Sequence, residues 1–304
     1  MPEPRNAPFS RGGELDRENS HADGIAAPVV LDYTGERMVP EHAAARTFWE
    51  HIERYRFAAS YARGKRVLDV ACGEGYGAAA LARAGASQVV GVDISEETCA
   101  HARAKYGIDA RRGSAEELPL ADRSFNLVVS FETLEHLREP ARFLSECARV
   151  LVPDGLLIVS TPNRPVYRQD VDNPFHHREY DRQEFLELLS ERFDPASIEL
   201  RSQCPWRAPI WSPRALAAER SPWLTIKGFW RLRAWLCPSS GNRISDSVRD
   251  HPVDAIINGK PGWLDKLFNP YLTRQPARGE QPWYWIALAR PRAIASPERS
   301  GIPL

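Results

Sequence analysis

The sequence has few cysteines, no excess of charge of either sign and no long apolar run. Its 304 residues include five cysteines, none in a Cys-x-x-Cys pair, which argues against a zinc knuckle or a disulfide framework and favours a reduced compartment. The 40 basic and 40 acidic residues cancel, so we expect no general nucleic-acid-binding surface. No apolar run approaches about 18 residues and no secretory signal pattern is present. We therefore expect a cytoplasmic protein, long enough to bury one large core.

The most informative pattern is a glycine-rich turn between an apolar run and a helix-forming segment. Residues 67–77 read VLDVACGEGYG, and AAALARA follows directly. Glycines let the backbone approach a ligand closely and expose N–H groups at the start of a helix. A second apolar run, residues 88–92, ends in Asp93, and an acid at a strand tip accepts hydrogen bonds from ribose hydroxyls. Together these features predict a nucleoside pocket at the carboxyl ends of parallel strands.

The glycine turn by itself fits two kinds of cofactor. Residues 73–78 also satisfy the dinucleotide pattern GxGxxA. Asp69 lies four residues before Gly73, and a carboxylate there suits a ligand with a cationic amino group better than a pyrophosphate. The rest of the chain is needed to decide between the two.

The order of motifs along the chain resembles that of the class I S-adenosylmethionine (AdoMet) methyltransferases. LDVACGEGYG and VDIS are followed by AEELPLADRSFNLVVSFETLEHL and ARVLVPDGLLIVSTPN, and the resemblance covers about residues 34–193. It implies AdoMet as the cofactor. The implied cofactor-binding residues are Asp69 and Gly73 near the methionine part, Asp93 on the ribose, Ser114 and Ala115 near the adenine, and Gly75, Ile94 and Ser130 as further contacts.

Alternating strand-like and helix-like segments predict a mostly parallel sheet with helices on both faces. We place strands near 66–70, 88–92, 108–111, 125–130, 155–160, 197–202 and 283–291, and helices near 41–63, 75–84, 95–106, 139–150 and 181–191. Ser95 is a candidate N-cap, and Asp181 with Glu184 forms a candidate capping box. The predicted fold is the α/β, Rossmann-like, seven-stranded AdoMet methyltransferase fold, whose last strand runs antiparallel between the fifth and the sixth.

Composition divides the chain into five parts. These are a disordered tail (1–30), the AdoMet-binding core (31–204), a Trp- and Pro-rich insertion (205–282), the final core strand (283–291) and a second tail (292–304). Within the insertion, residues 222–236 fit three interpretations: a helix that fills the insertion's own core, a lid over the acceptor, or an interfacial helix in peripheral contact with a membrane. The sequence leaves these interpretations and the oligomeric state open.

Two acids and two histidines are predicted to gather beside the transferred methyl group. Glu132, Glu135 and His136 follow the fourth strand in FETLEHL, and in a helix that begins at Glu132 they share one face. NPFHHREY, after the fifth strand, adds His176 and His177. These motifs also resemble small-RNA 3′-terminal 2′-O-methyltransferases, which implies a divalent cation, Mn²⁺ or Mg²⁺, on Glu132, Glu135, His136 and His176. Without a metal, His136 or His176 is the candidate catalytic base.

Two further segments indicate the acceptor. TGERMVP (34–40) and STPNRPVYRQDVDNPFHHREY (160–180) resemble segments of bacterial surface-glycan and sugar-modifying methyltransferases, which implies a sugar or glycoconjugate hydroxyl as the acceptor. Two alternatives remain open: a quinone or phenol O-methyltransferase, since those enzymes share ExxEH, and a catalytically silent AdoMet-fold scaffold subunit. The intact glycine turn and Asp93 argue against the silent subunit.

Overall fold

A computed structural model of the chain describes residues 37–167, 173–205, 249–258, 273, 275–276 and 281–292. Seven strands form one sheet: β1 (Arg66–Val70), β2 (Gln88–Asp93), β3 (Asp109–Arg112), β4 (Phe125–Ser130), β5 (Leu151–Pro162), β6 (Glu199–Pro205) and β7 (Pro282–Ala289). Their order is β3-β2-β1-β4-β5-β7-β6. Strands β1 to β5 pair in parallel, and β7 lies antiparallel between β5 and β6. The predicted fold class and the place of the last strand are therefore confirmed.

Helices cover both faces of the sheet. They are α1 (Ala45–Ala59), α2 (Tyr76–Arg83), α3 (Glu96–Tyr106), α4 (Pro140–Val150), α5 (Arg164–Tyr167), α6 (Arg182–Ser190) and α7 (Pro252–Asn258), with 3-10 turns at Leu134–His136 and Pro195–Ser197. Because successive strand residues point to opposite faces, Val67 of β1 packs in a core with α1 and α2, whereas Leu68 packs with α4 and α6. Among the described helices, none is long and apolar enough to span a bilayer.

Local hydrogen bonds set where several helices begin. The Ser95 hydroxyl accepts the N–H of Thr98 at 3.2 Å at the start of α3, as predicted. The capping box of α6 is also present, since Asp181 accepts the N–H of Glu184 and the Glu184 side chain accepts that of Asp181, each at 2.9 Å. Helix α1 begins later than predicted, at Ala45, because the preceding residues close a turn on the carbonyl oxygen of Val39.

One part of the range predicted as an insertion belongs to the core. Helix α7 lies between residues 205 and 282, yet its Val253 and Ile256 are buried in the same cluster as α1 and α2. The Arg56 guanidinium of α1 donates to the carbonyl oxygens of Ala255 and Ile256 near the end of α7. A positive charge at the C-terminal end of a helix stabilises that helix. The structure thus differs from the predicted domain boundaries at α7. Residues 222–236, with their three interpretations, lie outside the described residues.

Two deletions are expected to separate the insertion from this core helix. Removal of residues 206–248 leaves α7 in place, so we expect a cooperative thermal unfolding transition to remain. Removal of 206–281 also removes α7 and exposes the surface of α1 and α2 that it covers. Burial of Val253 and of Ile256 contributes about 1.5–3 kcal/mol each, in a fold that is stable by about 5–15 kcal/mol. We expect this longer deletion to lose the transition in circular dichroism. Equal behaviour of the two variants would contradict a core role for α7.

Candidate functional site

One cavity of about 620 Å³ opens at the carboxyl ends of the parallel strands. The segments that follow β1, β2 and β3 line one end of it, and those that follow β4 and β5 line the other, in keeping with the strand order. Residues 37–47, which lead into α1, border it as well. Among the predicted site residues, the cavity is lined by Gly73, Asp93, Ile94, Ser114, Ala115, Glu132, Glu135, His136 and His176. Two groups that the sequence predicted separately therefore share one space.

The first two glycines of the turn, Gly73 and Gly75, have different structural roles. Gly73 and Gly75 both have left-handed backbones, with φ of 52° and 92°. A Cβ atom at Gly73 would meet nothing within 4 Å, so the backbone there is open to a ligand in the cavity. A Cβ atom at Gly75 would lie 2.7 Å from the Cβ of Ala102 in α3. Gly75, predicted to bind the cofactor, does not line the cavity and instead permits close packing of α3.

Asp93 and Ile94 form an edge suited to a nucleoside. The Asp93 carboxylate accepts the N–H of Gly73 and that of Ser95, each at 3.0 Å, which fixes its orientation at the tip of β2. A carboxylate has about four lone-pair sites, so it retains acceptors for ribose hydroxyls. The Ile94 side chain is 73% exposed and lines the same cavity, where it offers an apolar surface to a planar base. These residues fit the nucleoside part of AdoMet.

Two other predicted cofactor residues lie behind the cavity wall. The Ser130 side chain is fully buried, and its hydroxyl donates to the carbonyl oxygen of Val70 at 3.0 Å. Asp69 is also fully buried, and its two carboxylate oxygens accept the Tyr55 hydroxyl at 3.2 and 3.1 Å. Tyr55, which does line the cavity, was not predicted as a site residue because its only sequence signal is its place on the apolar face of α1.

The buried Asp69 carboxyl predicts how stability depends on pH. Burial raises its pKa from 3.8 to about 8, against the hydrogen bond from Tyr55 and with a contribution from the charge of Asp93. Between these two pH values the unfolded chain releases the proton that the folded chain retains, so rising pH favours unfolding. We expect Asp69→Asn to flatten this decline in melting temperature from about pH 4 to pH 8. If the difference in melting temperature between wild type and Asp69→Asn stayed constant with pH, the prediction would be contradicted.

Glu132 has an unusual backbone and a fixed side chain. Its φ is 53°, in the left-handed region, so the helix expected to begin there does not form, and a 3-10 turn at Leu134–His136 follows. The Ser160 hydroxyl donates to Glu132 Oε1 at 2.6 Å and accepts the Glu132 N–H at 3.1 Å. The buried Arg54 pairs with the same carboxylate oxygen at 3.2 Å. Burial raises the Glu132 pKa, and Arg54 and Ser160 oppose that increase.

Glu135, His136 and His176 converge closely enough to share a ligand. Their donor atoms all lie within 4.8 Å of one another, and Glu132 is not part of this group, so three of the four residues predicted to bind a cation converge. Glu135 is fully buried, its Oε2 accepts the Thr161 hydroxyl at 3.2 Å, and its Oε1 has no hydrogen-bond partner within the described part of the chain. Burial and repulsion from Glu132 raise the Glu135 pKa well above its usual value.

The two histidines differ in which ring nitrogens are engaged. His136 Nδ1 lies 3.0 Å from the Phe175 carbonyl oxygen, so it donates there and leaves Nε2 as a proton acceptor. Burial and the neighbouring His176 lower the pKa of His136 to about 4, which keeps the ring neutral at pH 7. His176 places Nδ1 3.0 Å from Glu179 and Nε2 3.0 Å from the Asn173 amide nitrogen, so both of its nitrogens are engaged. His136 is therefore the better placed of the two predicted bases.

The chain is similar in sequence to known methyltransferases. Residues 68–159 match the family described as methyltransferase domain. A protein of Mycolicibacterium smegmatis named as a probable S-adenosylmethionine-dependent methyltransferase is 45% identical over 170 residues, which cover 54% of this chain and 65% of that protein. A ubiquinone biosynthesis O-methyltransferase of Rhizobium etli is 42% identical over 106 residues, or 33% of this chain and 42% of that enzyme. Both matches span less than two thirds of the relative's length.

A solved structure extends the likeness to the fold. It is a SAM-dependent methyltransferase of Thermotoga maritima, titled a possible histamine N-methyltransferase, with a TM-score of 0.50 and 20% identity over 84% of this chain and 96% of that one. At this identity the likeness concerns the fold alone. Residues 68–159 are thus similar to a methyltransferase domain, and the sheet has the seven-stranded, mostly parallel arrangement of the class I AdoMet-dependent methyltransferase fold.

Proposed function

We propose that this chain transfers a methyl group from AdoMet to a hydroxyl of a sugar or glycoconjugate. The observation that carries the proposal is the shared cavity, which has a nucleoside-binding edge at Asp93 and Ile94 and a proton acceptor, His136, at its other end. A methyltransferase needs both in one space, because the methyl donor and the attacking oxygen must be held in line at close distance.

The chain's own residues supply alignment and proton removal. AdoMet, when bound, supplies a methyl group already activated by its sulfonium. His136 Nε2 takes the proton from the acceptor hydroxyl, and the bond from His136 Nδ1 to the Phe175 carbonyl oxygen holds the ring in the required orientation. The backbone N–H groups of His177 and Arg178 donate to the carbonyl oxygen of Glu135 at 2.8 and 3.2 Å, which keeps the two loops of the acceptor end together.

The composition of the acceptor end supports a polyhydroxyl acceptor. Glu50, Glu132 and Glu135 place three carboxyl groups along this part of the cavity, and a carboxyl group accepts hydrogen bonds from hydroxyls and, when protonated, also donates one. The rings of Tyr167 and Tyr284 line the same part and provide apolar surface. A few polar groups among aromatic rings are typical of small-molecule sites.

A panel of acceptors tests the proposal. Methyl transfer is measured as S-adenosylhomocysteine release with AdoMet and either simple glycosides or catechol-type phenols. We expect turnover with glycosides that carry adjacent free hydroxyls and none with the same glycosides when those hydroxyls are blocked. Turnover with phenols alone would favour the second candidate, a quinone or phenol O-methyltransferase, which the likeness to the Rhizobium etli enzyme supports.

As the alternative to His136 as a free base, we propose that a divalent cation binds at Glu135, His136 and His176; His136 Nε2 is then a ligand and accepts no proton, and the cation replaces the contact between His176 Nε2 and the Asn173 amide. The unpaired Oε1 of the buried Glu135 supports this, because a cation would satisfy it and offset the repulsion between Glu132 and Glu135. One carboxylate and two imidazoles suit Mn²⁺, Fe²⁺ or Zn²⁺ better than Mg²⁺ on donor grounds.

Chelation is the corresponding test. If the cation is bound, EDTA followed by desalting abolishes turnover and Mn²⁺ restores it, while S-adenosylhomocysteine affinity changes little. Glu135→Gln should weaken Mn²⁺ binding measured by calorimetry, since an amide is a poorer ligand than a carboxylate. Gln183→Glu, on the exposed side of α6, serves as a charge-change control. Full activity in excess EDTA would refute the cation and leave His136 acting alone as the base.

A further inference from the structure

The Tyr55 hydroxyl separates Asp69 from the cavity. Asp69 is fully buried and does not line the cavity, although its place before the glycine turn implied direct contact with the methionine part of AdoMet. Tyr55 lines the cavity, and its hydroxyl lies between the two carboxylate oxygens of Asp69 at 3.2 and 3.1 Å. A ligand in the cavity therefore meets the tyrosine before the acid.

The Tyr55 ring is held in this place from several sides. Its centroid lies 5.5 Å from that of Tyr76 and 5.0 Å from that of Phe131, both in edge-to-face geometry. The glycine turn makes room for the ring, since a Cβ atom at Gly77 would lie 2.0 Å from Tyr55 Cζ. The third glycine of the turn thus serves the tyrosine of α1 rather than a ligand.

We propose that Tyr55 is the residue that contacts the ammonium group of the methionine part of AdoMet, and that Asp69 acts through it as a positioning residue. The hydroxyl proton of Tyr55 is directed at Asp69, so its oxygen lone pairs remain available as acceptors. Donation to the buried carboxyl oxygens of Asp69 polarises the hydroxyl and makes its oxygen a stronger acceptor for a cation. This inference rests on the proposed function, since it concerns the same cofactor.

Two ligands that differ in the amino-acid part can test for a contact to the ammonium group. S-adenosylhomocysteine carries the amino-acid part, whereas methylthioadenosine has the same adenosine and thioether but lacks it. Loss of a contact to the ammonium group weakens binding of S-adenosylhomocysteine and leaves binding of methylthioadenosine unchanged. A general disturbance of the pocket weakens binding of both ligands.

The experiment compares Tyr55→Phe, Asp69→Asn and the double variant by calorimetry with both ligands. We expect each single variant to bind S-adenosylhomocysteine about ten- to a hundredfold more weakly, the usual effect of a lost hydrogen bond to a charged group, and methylthioadenosine within about twofold of wild type. The double variant should be no weaker than Tyr55→Phe, because Asp69 acts through the tyrosine. Tyr61→Phe is the matched control, because it removes the same hydroxyl group from a tyrosine that lies in the turn after α1 and outside the cavity.

The outcomes separate this inference from the proposed function. If wild type binds both ligands and Tyr55→Phe keeps its affinity for S-adenosylhomocysteine, the role of Tyr55 is overturned and the methyltransferase proposal stands. An equal loss for both ligands also overturns it, since that indicates a structural role. If wild type binds neither ligand, the proposed function itself fails.

Discussion

Replacement of His136 by alanine is expected to lower kcat by about 10²–10⁴-fold, the usual contribution of a positioned general base. His136 is the histidine of the cluster whose Nε2 remains open, because its Nδ1 donates to the Phe175 carbonyl oxygen. The proposed cofactor contact at Asp93 ends β2, whereas His136 follows β4, two strands away in the sheet, so S-adenosylhomocysteine affinity should stay within about twofold of wild type. Steady-state kinetics and calorimetry on the same preparation measure the two quantities.

The neighbouring His176 provides a comparison variant for the loss of kcat in His136→Ala. His176→Ala removes the edge-to-face contact with His136, at 4.8 Å between ring centroids, and should give a smaller loss of kcat if His176 only supports the base. A loss as large as that of His136→Ala, together with weaker Mn²⁺ binding, would instead favour the cation. An unchanged kcat in His136→Ala would rule out this histidine as the base.

Replacement of Asp93 by alanine is expected to weaken S-adenosylhomocysteine binding by about ten- to a hundredfold. In the proposed AdoMet site the carboxylate offers acceptors to ribose hydroxyls, and in the structure it accepts the N–H groups of Gly73 and Ser95. Its loss therefore removes ligand contacts and also loosens the open stretch of backbone at Gly73. Asp93→Asn retains one acceptor oxygen, so we expect an intermediate affinity.

A control variant, Asp109→Ala, and a competing cofactor, NAD, complete the test of Asp93. Asp109→Ala removes an exposed carboxylate at the start of β3, paired with Arg111 at 2.6 Å, and should leave the affinity unchanged. NAD, which the GxGxxA pattern also permits, should not bind. Tight NAD binding, or wild-type affinity in Asp93→Ala, would be incompatible with an AdoMet site at this edge.

Most of the fold is predictable because its signals are local. Strand and helix positions follow from apolar runs and turn residues, and the start of α3 at Ser95 follows from a single side-chain cap. Asp93, Ile94 and Gly73 are predictable for a similar reason, since each lies at or shortly after the end of a strand and strand ends converge at one edge of a parallel sheet. Their positions depend on the pattern rather than on distant contacts.

The rest of the site depends on contacts between residues far apart in the chain. Glu132 has a left-handed backbone because Ser160 and Arg54 hold it, and neither partner is near it in sequence. Helix α7 has seven residues and a weak local signal, so its place in the core becomes apparent only through its packing on α1 and α2. The resemblance to small-RNA 2′-O-methyltransferases placed Glu132 among the predicted metal ligands, and in the structure it lies outside the group formed by Glu135, His136 and His176.

By itself, the sequence determined the order of strands and helices, the nucleoside-binding edge and the presence of two carboxylates and two histidines beside it. Periodicity and glycine position are short-range properties, and they are sufficient for these features. Only the tertiary structure decided that Tyr55 stands between Asp69 and the cavity, that Gly75 and Gly77 make room for side chains, and that His136 keeps a free nitrogen. Each of these depends on the distance between atoms of different elements, which packing sets and residue spacing along the chain does not specify.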